Sequence, residues 1–114
     1  MESSWIIDYC LRKKGARGEH PFGDDPLVIK VASKMFALIS DRSSTVHISL
    51  KCDPHIAESL REQYQAVIPG YHLNKKHWNT VICDGSLSKD ELSKMIDHSY
   101  GLVVKGLKKS ERPN

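Results

Sequence analysis

At 114 residues, with 39% hydrophobic and 27% charged side chains, the chain suits one soluble domain that buries a core without disulfides or metal. No apolar run nears the roughly 18 residues of a membrane helix, and the start, Met-Glu-Ser-Ser-Trp, lacks the basic and apolar regions of a secretory signal. A net charge of +3 and a pI near 8.8 are mildly basic, short of a strong nucleic-acid binder's footprint.

Ser3 or Ser4 caps a first helix whose face is Ile6, Ile7, Cys10 and Leu11. Arg12, Lys13 and Lys14 fill its last turn and Gly15 stops it. Residues 16–26, rich in Gly, Pro and Asp, read as a loop. Residues 27–32 read as a β-branched strand, Ser33 and Lys34 as a tight turn, and residues 35–39 as a central strand, apolar on both faces. A hairpin loop at residues 41–44 leads to a strictly alternating strand over residues 45–51, with Val46, Ile48 and Leu50 inward.

Asp53 and Pro54 supply an N-cap and a proline at the first helical position. The buried stripe of that helix is Ile56, Ala57, Leu60 and Tyr64, with Glu58, Arg61 and Glu62 turned away. After Pro69-Gly70, residues 71–73 form a short strand, residues 74–76 turn, and residues 77–83 return as a longer strand. Ser88 and Glu91 make a capping box, with Leu87 and Leu92 as its hydrophobic staple. That helix buries Leu92, Met95, Ile96, Ser99 and Val103, runs to about Leu107, and is followed by a polar, frayed tail.

The order is α-β-β-β-α-β-β-α: a single two-layer α+β domain over residues 1–114, with a five-stranded antiparallel sheet and one face partly exposed. Cys10, Cys52 and Cys83 form no C-x-x-C pair, which points to a reducing cytoplasm and to small buried hydrophobes.

Nucleophile-elbow, phosphate-loop, dinucleotide and zinc-protease motifs are missing, and the six histidines show no tight ligand pairing. No catalytic residue, metal or cofactor is therefore expected. The densest chemistry lies in His72, Asn74, Lys75, Lys76, His77, Trp78, Asn79 and Thr80. Cations and amides at a hairpin tip suit phosphate oxygens or base edges, and Trp78 could stack on a base. All of these but His77 also have a structural reading. Lys75 and Lys76 would keep a sheet edge from aggregating. Trp78 would be core, and His72, Asn74, Asn79 and Thr80 would satisfy one another and the turn backbone.

Residues 69–81, Pro-Gly-Tyr-His-Leu-Asn-Lys-Lys-His-Trp-Asn-Thr-Val, resemble the signature of the MmcQ/YjbR family of small bacterial proteins. Residues 21–23, 34–38, 50–52, 84–85 and 98–103 fit the same pattern, with Gly101 standing where many relatives are expected to carry an acidic or polar residue. The resemblance implies a fold similar to type III secretion chaperones, no enzyme activity, and DNA binding through a double wing of hairpins. One wing would carry His72, Asn74, Lys75, Lys76 and His77, the other Arg42, with Arg12 and Lys13 adding phosphate contacts.

The leading expectation is a cytoplasmic protein that binds double-stranded DNA weakly and in a salt-sensitive way, with no membrane partner. The alternative is a chaperone-like protein-interaction module using a sheet face or edge. A third reading, a ligand or enzymatic site around His72, Asn74, His77 and Asn79, requires a concave pocket.

Overall fold

The register of the strands decides which side chains meet. A computed structural model describes residues 3–41, 44–70 and 73–113. The elements are α1 (Ser3–Leu11), β1 (Ala16–Glu19), β2 (Leu27–Val31), β3 (Lys34–Ser40), β4 (His47–Lys51), α2 (Pro54–Gln63), β5 (Val67–Pro69), β6 (Trp78–Ile82), α3 (Lys89–Lys105) and a short 3-10 turn, η1 (Lys109–Glu111). The strands form one antiparallel sheet in the order β1-β2-β3-β4-β6-β5. The α+β class and its antiparallel sheet are as expected; the sheet has six strands, not five.

Two rows of paired residues run beneath the helices. Leu27, Ile39, Ile48, Val81 and Val67 form one; Ile29, Ala37, Leu50, Asn79 and Pro69 form the other. Ile6 and Cys10 of α1 and Leu92, Ile96 and Val103 of α3 pack on these rows as one core. The opposite face carries the row Val28, Leu38, Ser49, Thr80 and Ile68. In it the Ser49 and Thr80 hydroxyls pair at 2.7 Å, so both buried oxygens have a partner.

The caps of α2 and α3 form as the sequence dictates, whereas α1 already contains Ser3 and Ser4 and ends at Leu11, ahead of Arg12, Lys13 and Lys14. The Asp53 carboxylate accepts from the His55 and Ile56 N–H groups, and Pro54 opens α2. Ser88 and Glu91 form the reciprocal capping box of α3, with Leu87 and Leu92 both buried beside it. Among the described residues no helix is long and apolar enough to cross a membrane.

Several expectations are corrected. The stretch read as a loop over residues 16–26 contains β1. Its sequence, Ala-Arg-Gly-Glu, has no apolar alternation because it is an edge strand held by backbone pairing to β2, with Glu19 bridging Arg17 and Lys30. The short strand expected at residues 71–73 falls largely on residues 71 and 72, outside the described residues; an unexpected strand, β5, precedes it at Val67–Pro69. Pro69 tolerates that place because β5 is an edge, where a missing N–H costs no interior ladder bond. The tight turn falls on Ala32 and Ser33, with Ala32 left-handed at φ 54. Ile56 is not buried but 45% exposed, beside the fully buried Ala57. The tail is not frayed over its described part. Arg112 folds back and donates to the carbonyls of Leu107 (3.1 Å) and Lys105 (3.0 Å), a cation at the negative end of α3.

Burial raises the thiol pKa of Cys10 to about 12 and of Cys52 and Cys83 to about 11. All three are free and buried, so they sit as small hydrophobes and not as poised nucleophiles.

Candidate nucleic-acid interface

β5 and β6 pair antiparallel, and residues 70–77 connect them at the edge of the sheet. At the neck of this hairpin the Gly70 N–H donates to the Trp78 carbonyl at 2.9 Å. A Cβ on Gly70 would stand 2.8 Å from the Trp78 Cβ and 3.0 Å from its carbonyl oxygen, which only glycine avoids. Gly70→Ala is therefore expected to lower stability by about 1–3 kcal/mol in urea unfolding. A loss within about 0.5 kcal/mol would show that the neck opens freely.

The tip is built by its own polar groups. The Asn74 side-chain oxygen accepts from the Lys76 N–H (2.9 Å), and its backbone carbonyl accepts from the His77 N–H (3.2 Å). The Lys75 ammonium donates to the Gly70 carbonyl (3.2 Å), and the His77 carbonyl accepts from the Cys52 N–H (2.8 Å). The tip thus folds against the start of α2 instead of standing free. Asn74, Lys75 and Lys76 remain exposed, while His77 is half-buried.

Arg61 of α2 ties the hairpin down. Its Nη1 donates to the Lys75 carbonyl (3.2 Å) and to the Asn79 side-chain oxygen (2.7 Å), and Asn79 Nδ2 donates to the Ala57 carbonyl (3.2 Å). Asn79 therefore bonds α2, and Thr80 bonds Ser49 on the other face; the two do not serve each other. Asn74 satisfies the turn backbone as expected. Trp78 is 8% exposed and belongs to the interior.

A cleft of about 510 Å³ opens between the hairpin and α2, lined by Pro54, His55, Glu58, Arg61, Lys76 and His77. Its cations come from two elements, and Glu58 is its one acid. Sequence reasoning missed His55 and Arg61. The available signal was Asn79, an amide at an inward strand position that demands a buried partner.

The other expected contacts lie elsewhere. Arg12 and Lys13 follow α1, which packs on β1 at the opposite sheet edge, about 24 Å away across five strand spacings. Arg12 is exposed. Lys13 is occupied: its ammonium bonds Asp97 and lies 4.9 Å from the Tyr9 ring centroid. Burial opposes the Lys13 charge, but the Asp97 carboxylate and Tyr9 outweigh it and hold its pKa above the usual lysine value. Burial likewise opposes the Asp97 charge, and the bonds from Lys13 and Tyr9 nonetheless keep its pKa low.

Arg42 and His72 lie outside the described residues. Ser40 pairs with His47 at one end of β4, whereas Lys51 pairs with Trp78 at the other. The β3–β4 connection and the β5–β6 hairpin therefore leave the sheet at opposite ends. Among the described residues no three His, Cys, Asp or Glu side chains are grouped to hold a metal ion.

The YjbR family model matches residues 11–102. The uncharacterised protein YjbR of Escherichia coli strain K12 is 37% identical over 112 residues, 98% of this chain and 95% of its own. The uncharacterised protein YbdF of Escherichia coli O157:H7 is 38% identical over 92 residues, 81% of this chain and 75% of its own. A crystal structure of a Deinococcus radiodurans protein is 37% identical with a TM-score of 0.89, covering 96% of this chain and 83% of that one. A crystal structure of a Pseudomonas syringae protein is 30% identical with a TM-score of 0.79, covering 90% of this chain and 98% of that one.

Proposed function

Since the chain belongs to the YjbR family, we propose that it contacts the phosphate backbone of duplex DNA through the β5–β6 hairpin and the adjoining face of α2. The observation that carries this reading is the convergence of Lys76, His77, Arg61 and His55 on one cleft beside the exposed Asn74 and Lys75. Guanidinium and ammonium groups suit phosphate oxygens, and an exposed amide suits a sugar or base edge. Arg42, on the β3–β4 connection, would add to this surface only if the duplex reaches both ends of the sheet. Arg12 and Lys13, at the far edge, stand outside it.

With about three phosphates neutralised, the logarithm of the binding constant should fall with that of salt concentration with a slope near −3. The test is fluorescence anisotropy of a labelled duplex across a salt series. The Lys75→Ala/Lys76→Ala double variant should bind more weakly, with a slope shallower by about 2. Arg12→Ala should match the unsubstituted chain. Absence of binding at low salt would sink the reading, and an Arg12→Ala loss as large as the double variant's would move the surface to the other edge.

A further inference from the structure

α2 and α3 lie over neighbouring parts of the sheet and are tied at two points. The Asp53 N–H, at the start of α2, donates to His98 Nε2 at 3.2 Å; the Tyr64 hydroxyl, at its end, donates to Glu91. Between the ties lies a cleft of about 500 Å³. This falls within the range of small-molecule sites, roughly 300–1,000 Å³. Leu50 and Val81 of the sheet, Ile56 and Leu60 of α2 and Met95 of α3 line it. Here the 45% exposure of Ile56 has a place: it is an apolar side chain facing a gap between helices.

The charged groups on the rim are not equivalent. Glu91 accepts from Tyr64 on one carboxylate oxygen and from the Ser88 N–H and hydroxyl on the other. These bonds, Tyr64 first, hold its pKa below the usual glutamate value, so its charge is already committed. Among the described residues Lys94 bonds no carboxylate; its charge acts on Glu91 only through space, as the weakest of the causes that lower the Glu91 pKa. His98 accepts the Asp53 N–H on Nε2, so its neutral ring carries the proton on Nδ1 and has a donor to offer. Lys94 and His98 are four residues apart on α3, hence neighbours on one helix face.

The geometry points to a binding site for a small amphipathic anion, with an apolar chain laid over Leu50, Val81, Ile56, Leu60 and Met95 and a carboxylate held by Lys94 and His98. Charge complementarity selects the head group: a cation with no hydrogen-bonded partner among the described residues and a free donor stand beside an acid whose oxygens are occupied by Tyr64 and Ser88. The site uses the side of α2 opposite His55, Glu58 and Arg61 and does not depend on DNA binding.

The test titrates the full chain with octanoate, octan-1-ol and octylammonium, following the methyl NMR signals of Ile56, Leu60, Val81 and Met95. Octanoate should shift all four to saturation and bind more tightly than the alcohol or the ammonium. Lys94→Ala, at an exposed position, should weaken octanoate roughly five- to tenfold and leave the alcohol unchanged. Ile56→Glu, also exposed, should abolish both. The proposal is overturned if octanoate gives no saturable shift, if the shifts map elsewhere, if alcohol or ammonium binds as well as octanoate, or if Lys94→Ala binds octanoate undiminished. Saturation of the same methyls by an amphipathic helical peptide, with none by octanoate, would also overturn it.

Discussion

Replacing Ser99 by alanine is expected to cost about 3 kcal/mol of stability, although serine in a helix interior is ordinarily dispensable. Ser99 is fully buried on α3. Its hydroxyl donates to the Phe36 carbonyl at 2.6 Å and accepts from the Lys51 N–H at 2.9 Å. Phe36 needs that donor because β3 bulges there: Ile29 pairs with Ala37 and Lys30 with Met35, so Phe36 is the extra residue. The bulge places both Phe36 and Ala37 in the interior, where Phe36 meets the Tyr100 ring edge-on. Lys51, the last residue of β4, gains its partner from the same oxygen. Alanine would leave a carbonyl and an N–H without these bonds, at about 1–3 kcal/mol each. Thermal unfolding should fall by roughly 10–20 °C for a chain of this size, and the urea midpoint should drop with an unchanged slope. A loss below about 1 kcal/mol would mean that water replaces the hydroxyl and that the bulge does not depend on it.

The helices were legible because each carries its own signals. The Asp53-Pro54 start, the Ser88-Glu91 box and the apolar spacing of α3 are local, and local chemistry fixed them. The alternation of β4 was equally plain, since Ile48 and Leu50 must face the core. β1 escaped because an edge strand needs only backbone partners, and Arg17 and Glu19 disguise it as a loop. Ile56 was misplaced because helical spacing gives a face and not what fills the space beside it. The hairpin shows the same division. The Asn74 turn could be expected from residue type alone. The Arg61 anchor could not, because α2 meets the hairpin only through the packing of both on the sheet. Likewise Lys13 reads as one of a run of cations until Asp97, 84 residues away, is seen to hold it.

The second large effect is expected at Asn79. It is 3% exposed, in a row whose other inward members include Leu50 and Ala37, so an apolar side chain would fit the pattern better. Its amide instead links the Ala57 carbonyl and the Arg61 guanidinium, and Arg61 in turn holds the Lys75 carbonyl. Asn79→Ala removes both bonds and leaves a cavity, at an expected cost of about 2–4 kcal/mol. The charged partner makes the loss larger than for a neutral pair, because hydrogen bonds to ions are worth about 1.5–3 kcal/mol. A cycle of Asn79→Ala, Arg61→Ala and the double variant isolates the link, with an expected coupling of about 1–3 kcal/mol. The same cycle separates structure from recognition. Asn79 is buried and cannot touch a duplex, yet its loss should weaken DNA binding if Arg61 must hold the tip in place for Lys76 to reach a phosphate. Arg61→Ala should weaken binding further, since it removes a cation as well as the anchor. Additive stability losses, with coupling near zero, would show that the hairpin is positioned by its own turn and neck, and that the asparagine inside the sheet serves α2 alone.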